Sequence, residues 1–222
     1  MKELFDINTI FFTVLGYPMS YIEFFGTTVG AVATWLSARA DIWSWPIGCL
    51  ATVIFFFLFY QIQLYPDMFL QIFFFITNLM GWWKWSHPQK GQEDQQQELK
   101  VSQLSTNNFL VILVTGGLAT VLFGYSAGRL HEWFPLLFNM PSAFPYLDSF
   151  TSVMSIVATF LLIQKKVETW YVWLLVDLIS AYMYFVKGVK VVGIEYAVYC
   201  LIALVGAYNF TREYRSYRHV TS

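Results

Sequence analysis

Trp170, Trp173 and Asp177 are the residues whose types and spacing most clearly invite chemistry. They lie in Glu168-Thr-Trp-Tyr-Val-Trp-Leu-Leu-Val-Asp177 at i, i+3 and i+7. On a helix that spacing puts all three on one face. Indole faces attract cations, and a carboxylate beside them completes the charge. The surrounding segment is apolar, and a carboxylate at the centre of a membrane helix costs about 2.5–3.5 kcal/mol on insertion scales. No Lys or Arg lies deep in any apolar segment of the chain to pair with it. The three residues read as a seat for a flat, positively charged small molecule. Two further polar stripes fall on apolar segments: Asp67, Gln71 and Asn78 with Trp82 or Trp85, and Glu195, Tyr199 and Asn209. Tyr184 extends the first stripe. A lipid-facing helix would leave such groups without partners, so they point to an interior or a watery path. Plainer roles exist for some of them. Gln71 and Asn78 can join helices by hydrogen bonds. Asp67 and Glu195 stand at segment N-termini, where they suit the helix dipole. Trp82, Trp83, Trp85 and Trp170 fit an interfacial aromatic belt.

The elements that must carry these residues are membrane helices. The 222 residues are 57% hydrophobic and 12% charged, about half the charged share of an ordinary globular domain. Apolar segments are predicted at about 22–38, 45–63, 67–85, 109–127, 148–164, 168–186 and 193–210, each close to the length a bilayer needs. Leu4 to Leu15 reads as a short interfacial helix lying on the membrane, and the first residues do not read as a signal peptide. The stretch from Ser86 to Thr106 is Gln-rich and charged, a solvated and partly helical linker. Arg129 to Tyr146, with three prolines, reads as an interfacial loop. Cys49 and Cys200 are expected as small buried hydrophobes. His87, His131 and His219 fall in polar connections and the tail, without metal-ligand spacing. No nucleotide-binding or nucleophile-elbow motif is present, and no basic patch suggests a nucleic-acid partner. No enzyme is therefore expected, and no cofactor.

An internal repeat organises the segments. Val32-Ala-Thr-Trp-Leu36 matches Val157-Ala-Thr-Phe-Leu161, and Gly81-Trp-Trp-Lys-Trp85 matches Gly206-Ala-Tyr-Asn-Phe210, both at an interval of 125. Trp45 pairs with Trp173, and Asp67 with Glu195, at 128 if the connecting loop carries an insertion. Cys49 then stands opposite Asp177, so the aromatic feature recurs and the carboxylate does not. The expected fold is an all-α integral membrane protein with seven transmembrane helices arranged 3+1+3. Two parallel three-helix repeats are joined by a linker helix, an arrangement like that of the SWEET carriers. The divisions are residues 1–21 (interfacial), 22–85 (first repeat), 86–147 (linker, linker helix and outer loop), 148–211 (second repeat) and 212–222 (basic tail). Four of the thirteen Lys and Arg fall on the side of the N-terminus and nine on the other. The positive-inside rule puts the N-terminus outside and the C-terminus in the cytoplasm. This reading gives a transporter and leaves its solute open.

The pattern Trp170-x-x-Trp173-x-x-x-Asp177 resembles the W-x-x-W-x-x-x-(N/D) signature of the PnuC vitamin transporters. Trp45-Pro-Ile-Gly48, Tyr65-Pro-Asp67, Gln71, Gly81-Trp82-x-x-Trp85, Tyr184 and Lys187-Gly188 are similar to family features in the same order. The resemblance runs from Ile22 to Phe210. It implies a bacterial inner-membrane protein that takes up nicotinamide riboside by facilitated diffusion. The solute is held between the halves and trapped by a cytoplasmic nicotinamide riboside kinase. The implied binding residues are Trp170, Trp173, Asp177, Gln71, Asn78, Trp45, Tyr199 and Glu195, with the lipid bilayer as surroundings. Thiamine or another nucleoside-like vitamin stays open as the solute, as do homo-oligomerisation and ion coupling.

Overall fold

A computed structural model describes residues 6–61, 65–94, 96–133, 135, 144–186, 188 and 190–220. Among the described residues two strands, β1 (Ile10–Val14) and β2 (Tyr17–Ser20), precede seven helices. These are α1 (Tyr21–Ala38), α2 (Ser44–Gln61), α3 (Tyr65–Ser86), α4 (Thr106–Trp133), α5 (Pro145–Ile163), α6 (Glu168–Val186) and α7 (Lys190–Val220). Among the described residues, five helices are long and apolar enough to cross a membrane: α2, α4, α5, α6 and α7. Each expected apolar segment contains a helix with bounds within a few residues, except that α4 and α7 run on beyond their apolar stretches. Half of the loop expected over 129–146, residues 134 and 136–143, lies outside the described residues; Arg129–Trp133 continue α4 and Pro145 begins α5.

The chain forms two compact units. One holds Met1–Val101, Ile163–Lys165 and Val205–Ser222; the other holds Ser102–Leu162 and Lys166–Leu204. In the first, α1 packs on α2 and α2 on α3. There the Asn209 side-chain amide donates to the Ala38 carbonyl at 2.9 Å. In the second, the buried Thr169 hydroxyl donates to the Ala158 carbonyl at 2.8 Å, joining α6 to α5.

Of the interfacial helix expected over residues 4–15, residues 4 and 5 lie outside the described residues, and Ile10–Leu15 belong instead to the β1–β2 hairpin. Leu15 and Gly16 have φ of 50° and 84° and connect the Val14–Tyr17 pair. Two central residues with positive φ make the turn whose twist suits a two-residue hairpin. Phe11, Phe12, Thr13 and Val14 favour strand, and a twelve-residue apolar run is marginal as a helix by itself. The hairpin leads into α1 through a reciprocal cap. Glu23 N–H donates to the Ser20 hydroxyl at 3.3 Å, and Ser20 N–H donates to the Glu23 carboxylate at 2.8 Å. The Tyr17 hydroxyl also donates to Glu23, at 2.5 Å. That bond, then burial, pushes the Tyr17 phenol up to about 12.

The helix starts recur along the chain. Residues 21, 44 and 65 are followed by 145, 168 and 190, at intervals of 124, 124 and 125. The turns that end α1 and α5 are also alike. Ala40 has φ 57° and Asp41 N–H donates to the Leu36 carbonyl; Lys165 has φ 52° and Lys166 N–H donates to the Leu161 carbonyl, each bond 3.0 Å. A left-handed residue followed by a bond back to the last turn is a standard helix stop. Glycine would hold that conformation with less strain, so the choice of lysine at 165 calls for another reason.

The reason lies in the linker, which is neither helical among its described residues nor wholly solvated. Leu99 pairs with Glu93 in a short antiparallel bridge, and its N–H donates to the Trp85 carbonyl at 3.0 Å. Leu99 and Val101 are buried. Lys165, 1% exposed, sits under this fold with Nζ 3.8 Å from both the Asp94 and the Glu98 carboxylates. The same ammonium lies 4.6 Å from the Trp85 ring centre, within cation–π range. Removing one member of a buried charge group leaves the rest uncompensated. Lys165→Met is therefore expected to cost about 3 kcal/mol in thermal unfolding, with part regained when Asp94→Asn and Glu98→Gln are added.

Glu98 makes the same assembly sensitive to pH. Burial raises its carboxyl above the usual range, Lys165 opposes this, and Asp94, Asp41 and Glu213 reinforce it. A carboxyl whose pKa is raised by folding stabilises the fold while both states are protonated. That contribution is lost as pH rises through the elevated value. Glu98→Gln should therefore flatten the fall in melting temperature from acid pH towards neutrality.

Candidate functional site

The eight implied binding residues fall into two groups, Trp45, Gln71 and Asn78 in the first unit and Trp170, Trp173, Asp177, Glu195 and Tyr199 in the second. In the first, Trp45 occupies the first turn of α2 and is 3% exposed. Its ring meets Trp85 edge-to-face, with centroids 5.2 Å apart and planes at 87°. A Cβ at Gly81 would overlap the benzo ring of Trp45. Glycine on α3 is thus what lets the indole in. Trp85 is buried beneath Lys165, so an interfacial belt does not describe it; Trp82 and Trp83 are exposed.

Asn78 donates from its amide nitrogen to the Phe74 carbonyl of its own helix at 2.8 Å. Its oxygen occupies the space that a Cβ at Gly48 would take. Half-buried Gln71 lines a cavity of about 260 Å³ with Thr52 and five apolar residues, among them Phe56, Phe57 and Phe75. Thr52 donates to the Cys49 carbonyl at 2.8 Å.

In the second unit, α6 buries Thr169, Trp170, Val176, Asp177, Ser180, Ala181 and Met183, while Tyr171, Leu175, Leu178 and Tyr182 are exposed. One face thus points inward, as the spacing of Trp170, Trp173 and Asp177 requires; Trp173 is half-buried. Asp177 is the tenth of the nineteen residues of α6 and 4% exposed. Among the described residues no hydrogen bond or cation engages its carboxylate. On α7 the Tyr199 hydroxyl donates to Glu195 at 3.2 Å. Tyr184 and Tyr196 stack with centroids 5.4 Å apart and planes at 11°, and Tyr199 meets Tyr196 edge-on at 6.2 Å. Asp177 lies close enough to act electrostatically on Tyr196 and Tyr199, and Ser180 is within hydrogen-bonding reach of the Tyr196 phenol. The group offers flat π faces, hydroxyls and two carboxylates. It is equipped to hold a flat cation bearing hydrogen-bonding groups. Among the described residues no cluster of three or more His, Cys, Asp and Glu could hold a metal.

Ser180 and Tyr196 were not anticipated. Ser180 continues the Trp170–Asp177 face at i+3 from Asp177, a signal that was available. Tyr196 carried no local signal, because its place depends on how α7 packs against α6. The structure also corrects the pairing of the repeats. With helix starts 124–125 apart, Trp45 corresponds to Trp170 and not Trp173. At an interval of 125, Thr52 corresponds to Asp177 and Gln71 to Tyr196. The insertion assumed in the loop is absent, since α2 follows α1 by the same distance as α6 follows α5.

A model of the family described as nicotinamide mononucleotide transporter matches residues 20–212. The chain belongs to this family. It is 35% identical over 209 residues to the nicotinamide riboside transporter PnuC of Escherichia coli, covering 86% of this chain and 85% of that protein. It is 24% identical over 200 residues to the riboflavin/roseoflavin transporter RibM of Streptomyces davaonensis, covering 90% and 89%. Among solved structures it is similar to the crystal structure of the vitamin B3 transporter PnuC. That match has a TM-score of 0.62 and 21% identity over 86% of this chain and 83% of that one, a likeness of fold. The family and its relatives are membrane transporters and not enzymes.

The packing of Asn78 against Gly48 can be tested by a double-mutant cycle. Gly48→Ala should lower stability by about 1–3 kcal/mol, as overpacking does. In an Asn78→Ala background the same change should be nearly neutral, measured by thermal unfolding of the purified protein.

Proposed function

We propose that the chain carries nicotinamide riboside across a membrane by facilitated diffusion. The observation that carries this reading is Asp177, a buried carboxylate at the middle of a membrane-crossing helix with no cation engaged. A solute with a fixed flat positive charge supplies that cation, and Trp170, Trp173 and Tyr199 supply faces for it. Glu195, Gln71, Asn78 and Trp45 complete the proposed binding residues, the amides and carboxylate suiting carboxamide and ribose hydroxyls. A mononucleotide adds a phosphate. Neither α6 nor the first twenty-one residues of α7 after Lys190 offer a Lys or Arg to receive it, and two carboxylates oppose it. Among the names carried by the family and its relatives, the riboside therefore fits this chemistry better than the mononucleotide. The 35% identity to the E. coli nicotinamide riboside transporter supports the same choice.

The architecture proposed with this function is seven spans in a 3+1+3 order. The recurring helix starts and the matched turns at Ala40 and Lys165 support it. The eighteen residues of α1 extend about 27 Å, close to a hydrocarbon core of about 30 Å. The distribution of Lys and Arg supports a cytoplasmic C-terminus in a bacterial inner membrane. Trapping by a cytoplasmic riboside kinase would then give diffusion its direction.

Equilibrium binding to the purified protein tests the reading with nicotinamide riboside, nicotinamide mononucleotide, thiamine and riboflavin side by side. The riboside is expected to bind at least about tenfold more tightly than the mononucleotide, and Asp177→Asn should weaken it by about tenfold or more. Equal affinity of wild type and Asp177→Asn for the riboside would falsify the assignment. Preference for riboflavin would move the chain towards the chemistry of its Streptomyces relative.

A further inference from the structure

The second unit has an open groove of about 480 Å³ whose lining residues take no part in the proposed transport site. Phe109 and Leu113 of α4, Met154 of α5, and Tyr171 and Leu175 of α6 form its apolar walls. All three helices are long and apolar enough to cross a membrane. Phe109, Leu113, Tyr171 and Leu175 are exposed, so the groove is continuous with a surface that faces lipid. Leu113 lies seven residues beyond Thr106 on α4, about 10 Å along the axis, or roughly a third of a hydrocarbon core.

One end of the groove is polar, formed by Thr106 and Glu168. One Glu168 oxygen accepts the Leu104 N–H at 3.1 Å. The other is buried and has no hydrogen-bond partner among the described residues. Such an unmet acceptor is costly unless a donor reaches it. Two residues earlier, Lys166 donates from its exposed ammonium to the Gln103 carbonyl at 3.3 Å. The polar end thus presents an acceptor carrying negative charge and, close by in the chain, a positive charge. Beyond it lies a trough for a hydrocarbon chain.

We infer that this groove binds a phospholipid with a primary-ammonium headgroup. One acyl chain lies along Phe109, Leu113 and Tyr171, the ammonium donates to Glu168, and the phosphate lies towards Lys166. A trimethylammonium headgroup has no N–H to donate to Glu168. An anionic headgroup lacking an ammonium would place negative charge beside that carboxylate. The chemistry therefore selects phosphatidylethanolamine over phosphatidylcholine and phosphatidylglycerol.

The test is lipid titration of delipidated, full-length protein followed by native mass spectrometry. Wild type is compared with Glu168→Gln, which keeps an acceptor for Leu104, and with Leu113→Trp, which fills the trough. Wild type is expected to bind phosphatidylethanolamine about tenfold more tightly than phosphatidylcholine or phosphatidylglycerol. Glu168→Gln should remove most of that preference, and Leu113→Trp should weaken all three lipids. Glycerophosphoethanolamine, which has the headgroup and no chain, should not compete. Unchanged nicotinamide riboside binding in both variants shows that they are folded and keeps this result separate from the transport reading. Equal binding of the three lipids by wild type, or an unchanged preference in Glu168→Gln, overturns the proposal. So does a change in oligomeric mass in Leu113→Trp without a change in lipid binding, which would make the groove a contact between copies.

Discussion

A carboxylate in a low-dielectric interior is stable only if something compensates its charge, and Asp177 places that constraint at the centre of α6. Neither of the ordinary solutions is present. No Lys or Arg lies deep in α6 or in the apolar part of α7, and no backbone donor engages the carboxylate among the described residues. What surrounds it instead is a set of polarisable and weakly polar groups: Ser180, the stacked pair Tyr184 and Tyr196, and Tyr199 bonded to Glu195. Phenol and indole faces temper a negative charge poorly and receive a positive one well. The arrangement has the character of half an ion pair, and in the proposed function the riboside supplies the other half. For a carrier this is useful, because the solute must bind well enough to enter and still leave.

Helices in lipid gain nothing from excluding water, so they are held by close contact and by hydrogen bonds. Both are visible around the candidate residues. Gly81 admits the ring of Trp45, and Gly48 admits the oxygen of Asn78. Gly116 of α4 stands against Met154 of α5, where a Cβ would come within 3.3 Å of the sulfur. Thr169 and Asn209 bond to carbonyls of other helices. These contacts leave little room for error, and they make Trp45 a closely packed residue between α2 and α3.

At the ends of the helices the rules change, because charges there meet water and linker. Lys165 occupies a left-handed turn position that glycine would tolerate better. Its side chain gathers Asp94, Glu98 and the Trp85 face into one buried group. A polar, Gln-rich sequence reads as solvated because composition reports average affinity for water. Leu99 and Val101 are two of only three aliphatic residues in that stretch, and their burial comes from tertiary contacts that composition does not report. The N-terminal hairpin was equally hidden. Its aromatic and β-branched residues are compatible with an interfacial helix until the two positive φ values at Leu15 and Gly16 decide the turn.

Apolar run length and the places of charged and helix-stopping residues determined, from the sequence alone, seven helices close to their observed bounds, their recurrence along the chain, and the face of α6 that carries Trp170, Trp173 and Asp177. Those features follow from the chain's own periodicity and from the exclusion of charge from lipid, which are local properties. Only the tertiary structure decided the register of the repeats, which moves Trp45 from Trp173 to Trp170 and sets Thr52 and Gln71 in correspondence with Asp177 and Tyr196. It alone placed Tyr196 beside Asp177, buried Lys165, and left one oxygen of Glu168 unmet at the end of a lipid-facing groove. Each of these depends on which helix faces which, and side-chain fit between helices sets that without leaving a periodic mark in the sequence.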